Sequence, residues 1–306
     1  MSASWVAGTT RARALVRRRV GRAGALRLAG AGSVPAAVSA LAGTPYGHEV
    51  RAGDGLEEAQ HAVLATLLWH VRVLAGWLPR DGTQMLRLLA RWFEIANTDE
   101  LLHGMAGGAP GPEFDLGALA TSWPRLREAA TPGSVASILA ASPWGDPGGT
   151  CPQAVQLGMR LSWAVQVAEQ IDGTTPWAAG AVALLTASER HVAGRELTGM
   201  GRDRAVALLG PEAVGASSLS ALAARLPSTS RWALDGLDQP DLLWQGEERW
   251  WARVESDGRA LLADPVFGPA PVLGVVAVLA CDAHRVRAAL ELASRGGHPL
   301  EALNGR

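Results

Sequence analysis

Residues 37–47 read AVSALAGTPYG, and residues 135–145 read VASILAASPWG. In both stretches an apolar segment ends at Thr or Ser followed by Pro, an aromatic residue and Gly. Pro and Gly in this order end a helix and reverse the chain. The pairing therefore indicates an internal repeat, and the repeat determines the fold prediction. The identical positions are Ser39/Ser137, Leu41/Leu139, Ala42/Ala140, Pro45/Pro143 and Gly47/Gly145.

The residues after each stop follow a common plan. A long amphipathic segment leads to a turn and then to a second helix, in which a leucine follows an acidic residue by eight positions. A third copy of the plan covers the C-terminal part of the chain. The corresponding acids are Glu94, Glu189 and Asp282, and the corresponding leucines are Leu102, Leu197 and Leu290.

The repeat predicts an all-α protein of three similar helical segments. We place these segments at residues 1–110, 111–210 and 211–306. Gly and Pro cluster at both internal boundaries, as the GGAPGP run of residues 107–112 shows. The valine-rich run 272–279 alone could be a buried strand, but Pro271 and the helical pattern that follows favour a helix.

Composition bounds the function. The chain is 48% hydrophobic, with a mean hydropathy of +0.10, which is sufficient for a folded core. Its net charge of −1 disfavours a nucleic-acid partner. It contains no lysine, which excludes the phosphate-binding lysine of a Walker loop and Schiff-base chemistry. Cys151 and Cys281 stand far apart, as expected in a reducing cytosol.

No transmembrane segment is predicted. The longest apolar run, residues 272–281, is about half of the roughly 20 residues that a membrane span needs. The first 43 residues hold seven arginines and no acid, a pattern shared by organelle presequences and by helices with a basic face. We favour the basic helix because this stretch leads directly into the first repeat.

The sequence holds no convincing catalytic, metal or cofactor site. His61 and His70 lie nine residues apart on one predicted helix and therefore face opposite sides, so they cannot share a metal. The Gly-rich stretches 30–32 and 199–201 lack the third glycine of a dinucleotide fingerprint. Residues 215–219 fail the GxSxG pattern at the last position. We expect a non-enzyme that needs no cofactor, metal or small-molecule substrate.

Twelve tryptophans are present against one tyrosine. Core packing and an exposed contact surface both explain such enrichment, since Trp is frequent at interface hot spots. Trp244, Trp250 and Trp251 are clustered in the third segment.

Two stretches in the first segment, 11–47 and 91–108, resemble one protein family, the central-stalk component that joins shaft to membrane ring in V/A-type (vacuolar/archaeal-type) rotary ATPases. In that family an Arg-rich first helix leads to a TPYG stop, and a later helix carries the signature F-[DE]-x-x-N-x-x-x-L-L-R-G. His103 stands where the family usually has arginine. The matching motif residues are Pro45, Gly47, Phe93, Glu94, Asn97, Leu101, Leu102 and Gly104.

Residues 268–297 resemble the closing helix of the same family. Asp282 and Arg287 fit its acidic and arginine positions, whereas Arg285 replaces an asparagine. The resemblance covers nearly the full chain. It depends on motifs in order and on the repeat rather than on one diagnostic cluster.

The resemblance implies a funnel-shaped, pseudo-threefold helical protein of the central stalk, peripheral to the cytoplasmic face of the membrane. It would link the rotary shaft to the proteolipid ring and transmit torque for proton or sodium transport coupled to ATP hydrolysis or synthesis. Arg17, Arg18, Arg19 and Arg22 are candidates for a basic surface that contacts shaft or ring. The alternative is a stand-alone helical-repeat scaffold or adaptor with the same fold.

Overall fold

The computed structural model describes residues 3–296, which are helical or irregular and contain no β-strand. The predicted all-α class is therefore confirmed. The chain forms two compact units, unit 1 from residues 1–83 and 254–306 and unit 2 from residues 84–253. The outer ends of the predicted segments, residues 1–2 and 297–306, lie outside the described residues. The division into three segments stays a prediction.

The α-helices follow one another with short 3-10 turns between some of them. In chain order they are α1 (Val6–Leu15), α2 (Gly21–Ala29), α3 (Val34–Ala42), α4 (Leu56–Ala75), α5 (Arg80–Met105), α6 (Trp123–Leu126), α7 (Pro132–Ala140), α8 (Pro152–Gln170), α9 (Thr175–Ala187), α10 (Gly199–Leu209), α11 (Pro211–Val214), α12 (Leu219–Arg225), α13 (Ser228–Leu234), α14 (Leu243–Ala263) and α15 (Pro269–Ser294).

A hydroxyl group begins one short helix in each predicted segment. The side chain of Ser33 accepts a hydrogen bond from the third residue of α3. Thr131 does the same for α7, and Ser218 for α12. Such an N-cap satisfies a backbone N–H that the first helical turn leaves without a partner. The three helices thus start by the same local chemistry.

Helix α15 is the centre of unit 1 and packs against α1, α2, α3 and α4. It contains the valine-rich run 272–279, so the prediction of a helix there is confirmed. Its approach to the last part of α14 is close. A Cβ built on Gly274 would lie only 2.6 Å from the Gly258 carbonyl oxygen, so the two backbones can meet only because both residues lack a side chain.

Unit 2 has its own apolar core. Helix α9 packs against α8, α10 and α13, and its small residues let these neighbours approach closely. A Cβ on Gly180 would lie 2.7 Å from the Trp232 ring. Fully buried members of this core include Leu161, Val182 and Leu222.

The second predicted segment departs from the repeat at the end of α9. A π-helical turn, Ser188–Val192, follows α9, and Gly194 then takes a left-handed conformation with φ of 65°. The helix has therefore ended before Leu197, whereas Leu102 and Leu290 lie on α5 and α15. The prediction that Leu197 lies on the same helix as Glu189 is wrong, although Leu197 is buried.

His70, on α4 in unit 1, is 4% exposed, and its Nδ1 has no hydrogen-bond partner among the described residues. Burial, followed by the positive charge of Arg18 and by His48, lowers the pKa of His70 to about 4. The imidazole is therefore neutral in the folded protein at neutral pH. The unfolded chain has the ordinary histidine pKa of about 6.5.

This difference predicts an acid-sensitive unit 1. Between about pH 6.5 and 4 the unfolded chain binds a proton that folded His70 does not, so stability falls as pH falls through that window and is unaffected by His70 above it. From pH 7 to pH 5 the loss is about 2 kcal/mol. Urea unfolding at both pH values would measure it. The variant His70→Leu should lose less stability over this interval than the wild type; equal losses would contradict the assignment to His70.

Candidate functional site

Asp282, on α15, is a buried carboxylate that holds the N-terminal part of the chain in unit 1. It is 1% exposed. The backbone N–H groups of Val20 and Gly21 donate to its two oxygens at 2.9 and 2.7 Å. The hydroxyl of Tyr46, from the TPYG stop, donates to it at 3.1 Å. Three donors therefore compensate a charge that is removed from water.

Glu94, on α5, makes the same arrangement in unit 2. It is fully buried, at 0% exposed. The backbone N–H groups of Thr121 and Ser122 each donate to it at 2.8 Å. The indole N–H of Trp144, from the SPWG stop, donates at 2.7 Å. The acid of the first predicted segment thus binds the beginning and the stop motif of the second.

The two stop motifs also have matching local bonds. Thr44 accepts from the N–H of Tyr46, and Ser142 accepts from that of Trp144, each at 3.2 Å. A hydroxyl on the following long helix donates to the aromatic residue's carbonyl. Thr66 on α4 does so at 3.4 Å and Ser162 on α8 at 2.5 Å. The sequence similarity between the stops therefore extends to their hydrogen bonds.

The predicted third acid, Glu189, does not play this part. It pairs with Arg195 at 2.8 Å, within its own segment. The neighbouring Arg190, whose side chain is 8% exposed, instead donates to the carbonyls of Val214 and Ala216, just before α12. Here a cation binds two carbonyl groups where the other two positions have an anion binding two N–H groups.

We call these three arrangements the segment links and name them by their charged residues, Asp282, Glu94 and Arg190. Each connects a long helix of one predicted segment to the beginning of another. The Asp282 link joins the third segment to the first, the Glu94 link joins the first to the second, and the Arg190 link joins the second to the third.

The family-motif residues around Glu94 support its link. Asn97 donates to the carbonyl of Phe114 at 2.9 Å and accepts from its N–H at 2.7 Å. Phe93 packs against the Phe114 ring with the centroids 5.2 Å apart. These contacts fix the chain that leaves α5, close in sequence to the N–H groups that Glu94 binds.

The remaining motif positions on α5 lie toward its end. Leu102 is 1% exposed, and Leu101 is half-buried. Gly104 faces Pro110, because a Cβ there would lie 3.4 Å from the proline ring. His103, which replaces the family's arginine, lies against Gly108 and accepts that residue's N–H at its carbonyl. These residues shape the end of α5 and its exit.

Pro45 and Gly47 fulfil the roles that the stop motif predicts. Pro45 is the first residue of a 3-10 turn, where its missing N–H costs nothing. Gly47 lies against the end of α3, and a Cβ there would be 2.1 Å from the Ala42 carbonyl oxygen. Gly145 has a left-handed φ of 71° instead, so the same glycine is needed for a different reason.

The predicted basic residues are separated from this site. Arg17, Arg18 and Arg22 are exposed, and Arg19 is half-buried. Arg285 does not occupy the asparagine's role and pairs with Glu255 at 2.6 Å. Burial lowers the pKa of Arg287, whose Nε is buried without a hydrogen-bond partner among the described residues.

Burial also perturbs the donors that surround the carboxylates. Burial and then the adjacent Asp282 raise the pKa of Tyr46 well above its ordinary value, so the phenol stays protonated and donates. Burial lowers the pKa of Arg91, which reaches Gln166 and Thr121 beside the Glu94 link. The arrangement binds chain segments and leaves no carboxylate oxygen of these links open to a substrate.

The described part of the chain offers little for other chemistry. Within residues 3–296 no group of three His, Cys, Asp or Glu residues could hold a metal ion. A cavity of about 180 Å³ in unit 2 is lined by Cys151, Glu189 and Arg195, but the last two are paired with each other. None of the helices in this part of the chain combines the length and apolarity of a membrane span.

The sequence analysis identified Glu94, Asp282 and the stop motifs but did not predict that they touch. The signal was the aromatic residue after each proline, since Tyr and Trp both carry an N–H or O–H donor and an isolated buried acid requires one. The Arg190 link had no comparable signal.

The chain was compared with known proteins. No protein-family model matches it, and no curated protein matches its sequence. The resemblance to the rotary ATPase stalk protein therefore depends on the motifs and the segment links alone.

The Glu94 link predicts a large loss of stability for Glu94→Gln. The amide group cannot accept three hydrogen bonds and turns an N–H toward a backbone donor, which leaves buried donors unsatisfied. We expect a loss of about 3 kcal/mol, measured by urea unfolding. Glu128→Gln, at an exposed acid of the same unit, is the matched control and should change stability by less than about 0.5 kcal/mol.

The close approach at Gly47 predicts that Gly47→Ala destabilises unit 1 by about 1–3 kcal/mol, since the added methyl group meets backbone rather than a movable side chain. Gly53→Ala is the control, because a Cβ on Gly53 has open space and its φ is ordinary. Thermal unfolding of both variants measures the difference. If both behaved alike, the close contact at Ala42 would not be the reason for glycine.

Proposed function

We propose that this chain is a non-catalytic central-stalk subunit of a V/A-type rotary ATPase. It links the rotary shaft to the membrane proteolipid ring and transmits torque for ion transport coupled to ATP hydrolysis or synthesis. In this proposal the protein belongs to the cytoplasmic face of the membrane as a peripheral part of the complex.

The segment links are the observation that carries the proposal. Their order, third segment to first, first to second and second to third, is the cyclic order that a collar of three similar segments around a shaft requires. A pseudo-threefold, funnel-shaped arrangement is part of this proposal. Buried charges that are fully compensated by hydrogen bonds also disfavour alternative packings of the segments.

The placement of the motif residues supports the same function. Phe93, Glu94 and Asn97 form one connected set of contacts that holds the chain leaving α5. A torque-bearing protein needs such fixed segment connections and no substrate site. Arg17, Arg18, Arg19 and Arg22 are the proposed basic surface toward shaft or ring.

The proposal predicts the company that the protein keeps. Native mass spectrometry of gently solubilised membranes, with the endogenous chain tagged, should recover nucleotide-hydrolysing subunits and a proteolipid ring. The variant Arg19→Gln with Arg22→Gln should lower the recovered fraction of these partners severalfold. Arg125→Gln with Arg202→Gln removes the same charge from exposed positions of unit 2 and is the matched control.

Recovery of a soluble monomer without these partners would overturn the proposal and favour the stand-alone scaffold. Unfolding midpoints of the two double variants should agree, so that a lost partner reports a lost contact and not a damaged fold.

A further inference from the structure

The outer face of α1 is uncovered and carries charge of one sign. Its buried residues Gly8, Thr9, Ala12 and Leu15 face the unit 1 core. The opposite side spans about 140° of arc at about 100° per residue and continues into the 3-10 turn after α1. The exposed residues of this face are Val6, Ala7, Thr10, Arg11, Ala14, Arg17 and Arg18.

No acid balances these cations nearby in sequence. Residues 1–43 contain seven arginines and no Asp or Glu, so the rest of the chain, with the other 21 arginines and all 29 acids, is net negative. Within residues 3–296, Arg11, Arg17 and Arg18 form no ion pair. An ordinary solvated helix face mixes both signs of charge.

Exposed apolar side chains border the same face. Val6 is 42% exposed and Trp77, in the turn after α4, is 50% exposed. The guanidinium of Arg11 lies over the Trp77 ring, 4.9 Å from its centroid. Arg13 points away from this face and donates to the carbonyls of Asp264 and Val266, so it holds the preceding loop of α15 against α1.

We propose that this face, the α1 surface, binds the anionic headgroups of a lipid bilayer, with α1 parallel to the membrane plane. A cationic helix face with short apolar residues and a neighbouring tryptophan is suited to the headgroup boundary, where Trp is favoured and arginine stems extend their charge outward. Protein interfaces normally fix register by opposed charges of both signs, and this face has only one. The inference does not require the rotary ATPase, because it concerns the isolated chain and lipid.

The test is co-sedimentation of the purified full chain with vesicles in the absence of other proteins. Phosphatidylcholine vesicles should bind little, and vesicles that also contain phosphatidylglycerol should bind the chain. Binding should weaken strongly as ionic strength rises from about 0.1 to 1 M, because salt screens exposed charges.

Arg17→Gln with Arg18→Gln should lower the partition coefficient about 25-fold, since each cation contributes about fivefold. Trp77→Ala should lower it severalfold at unchanged net charge. The control, Arg125→Gln with Arg202→Gln, removes two exposed arginines from unit 2 and should change it less than about twofold.

Equal binding to both vesicle types, or an equal loss in the control, would overturn the proposal. So would a chain that ignores vesicles but self-associates through the same arginines, since that result assigns the face to the acidic remainder of a second copy. Co-isolation with ATPase subunits tests the rotary function separately, because detergent removes the bilayer.

Discussion

A carboxylate removed from water costs several kcal/mol unless donors surround it, and that constraint organises this fold. Glu94 and Asp282 obtain their donors from two consecutive backbone N–H groups and from one aromatic side chain. The requirement is geometric, so each acid fixes where another part of the chain begins and where its stop motif lies. Hydrophobic packing between small helices would tolerate sliding, whereas three donors around one carboxylate do not.

The Arg190 link shows that the constraint matters more than the residue type. Reversing the polarity exchanges a carboxylate with N–H donors for a guanidinium with carbonyl acceptors, and the connection to the next segment is retained. The neighbouring acid is then free to pair locally, as Glu189 does with Arg195. A repeat can thus diverge in sequence while each junction keeps a buried charge bonded to backbone.

The helical class, the course of α15 and the stop motifs could be predicted because they depend on local periodicity and on Pro and Gly chemistry. The contacts between Glu94 and Trp144 could not, since an i to i+50 hydrogen bond leaves no local pattern. The end of α9 was mispredicted for a related reason. Its apolar spacing continues toward Leu197, but a π-helical turn and the left-handed Gly194 end the helix. The α1 surface was foreseen as a basic helix, but its partner Trp77 comes from a distant turn.

Tyr46 is the only tyrosine of the chain, and it lies inside the Asp282 link. Its counterpart in the Glu94 link is an indole, so the two arrangements absorb light and ionise differently. The phenol is the single chromophore whose alkaline deprotonation changes the near-ultraviolet spectrum, and burial beside a carboxylate resists that deprotonation. Unit 1 therefore contains an intrinsic optical reporter of one buried junction, free of interference from any other phenol and requiring no label.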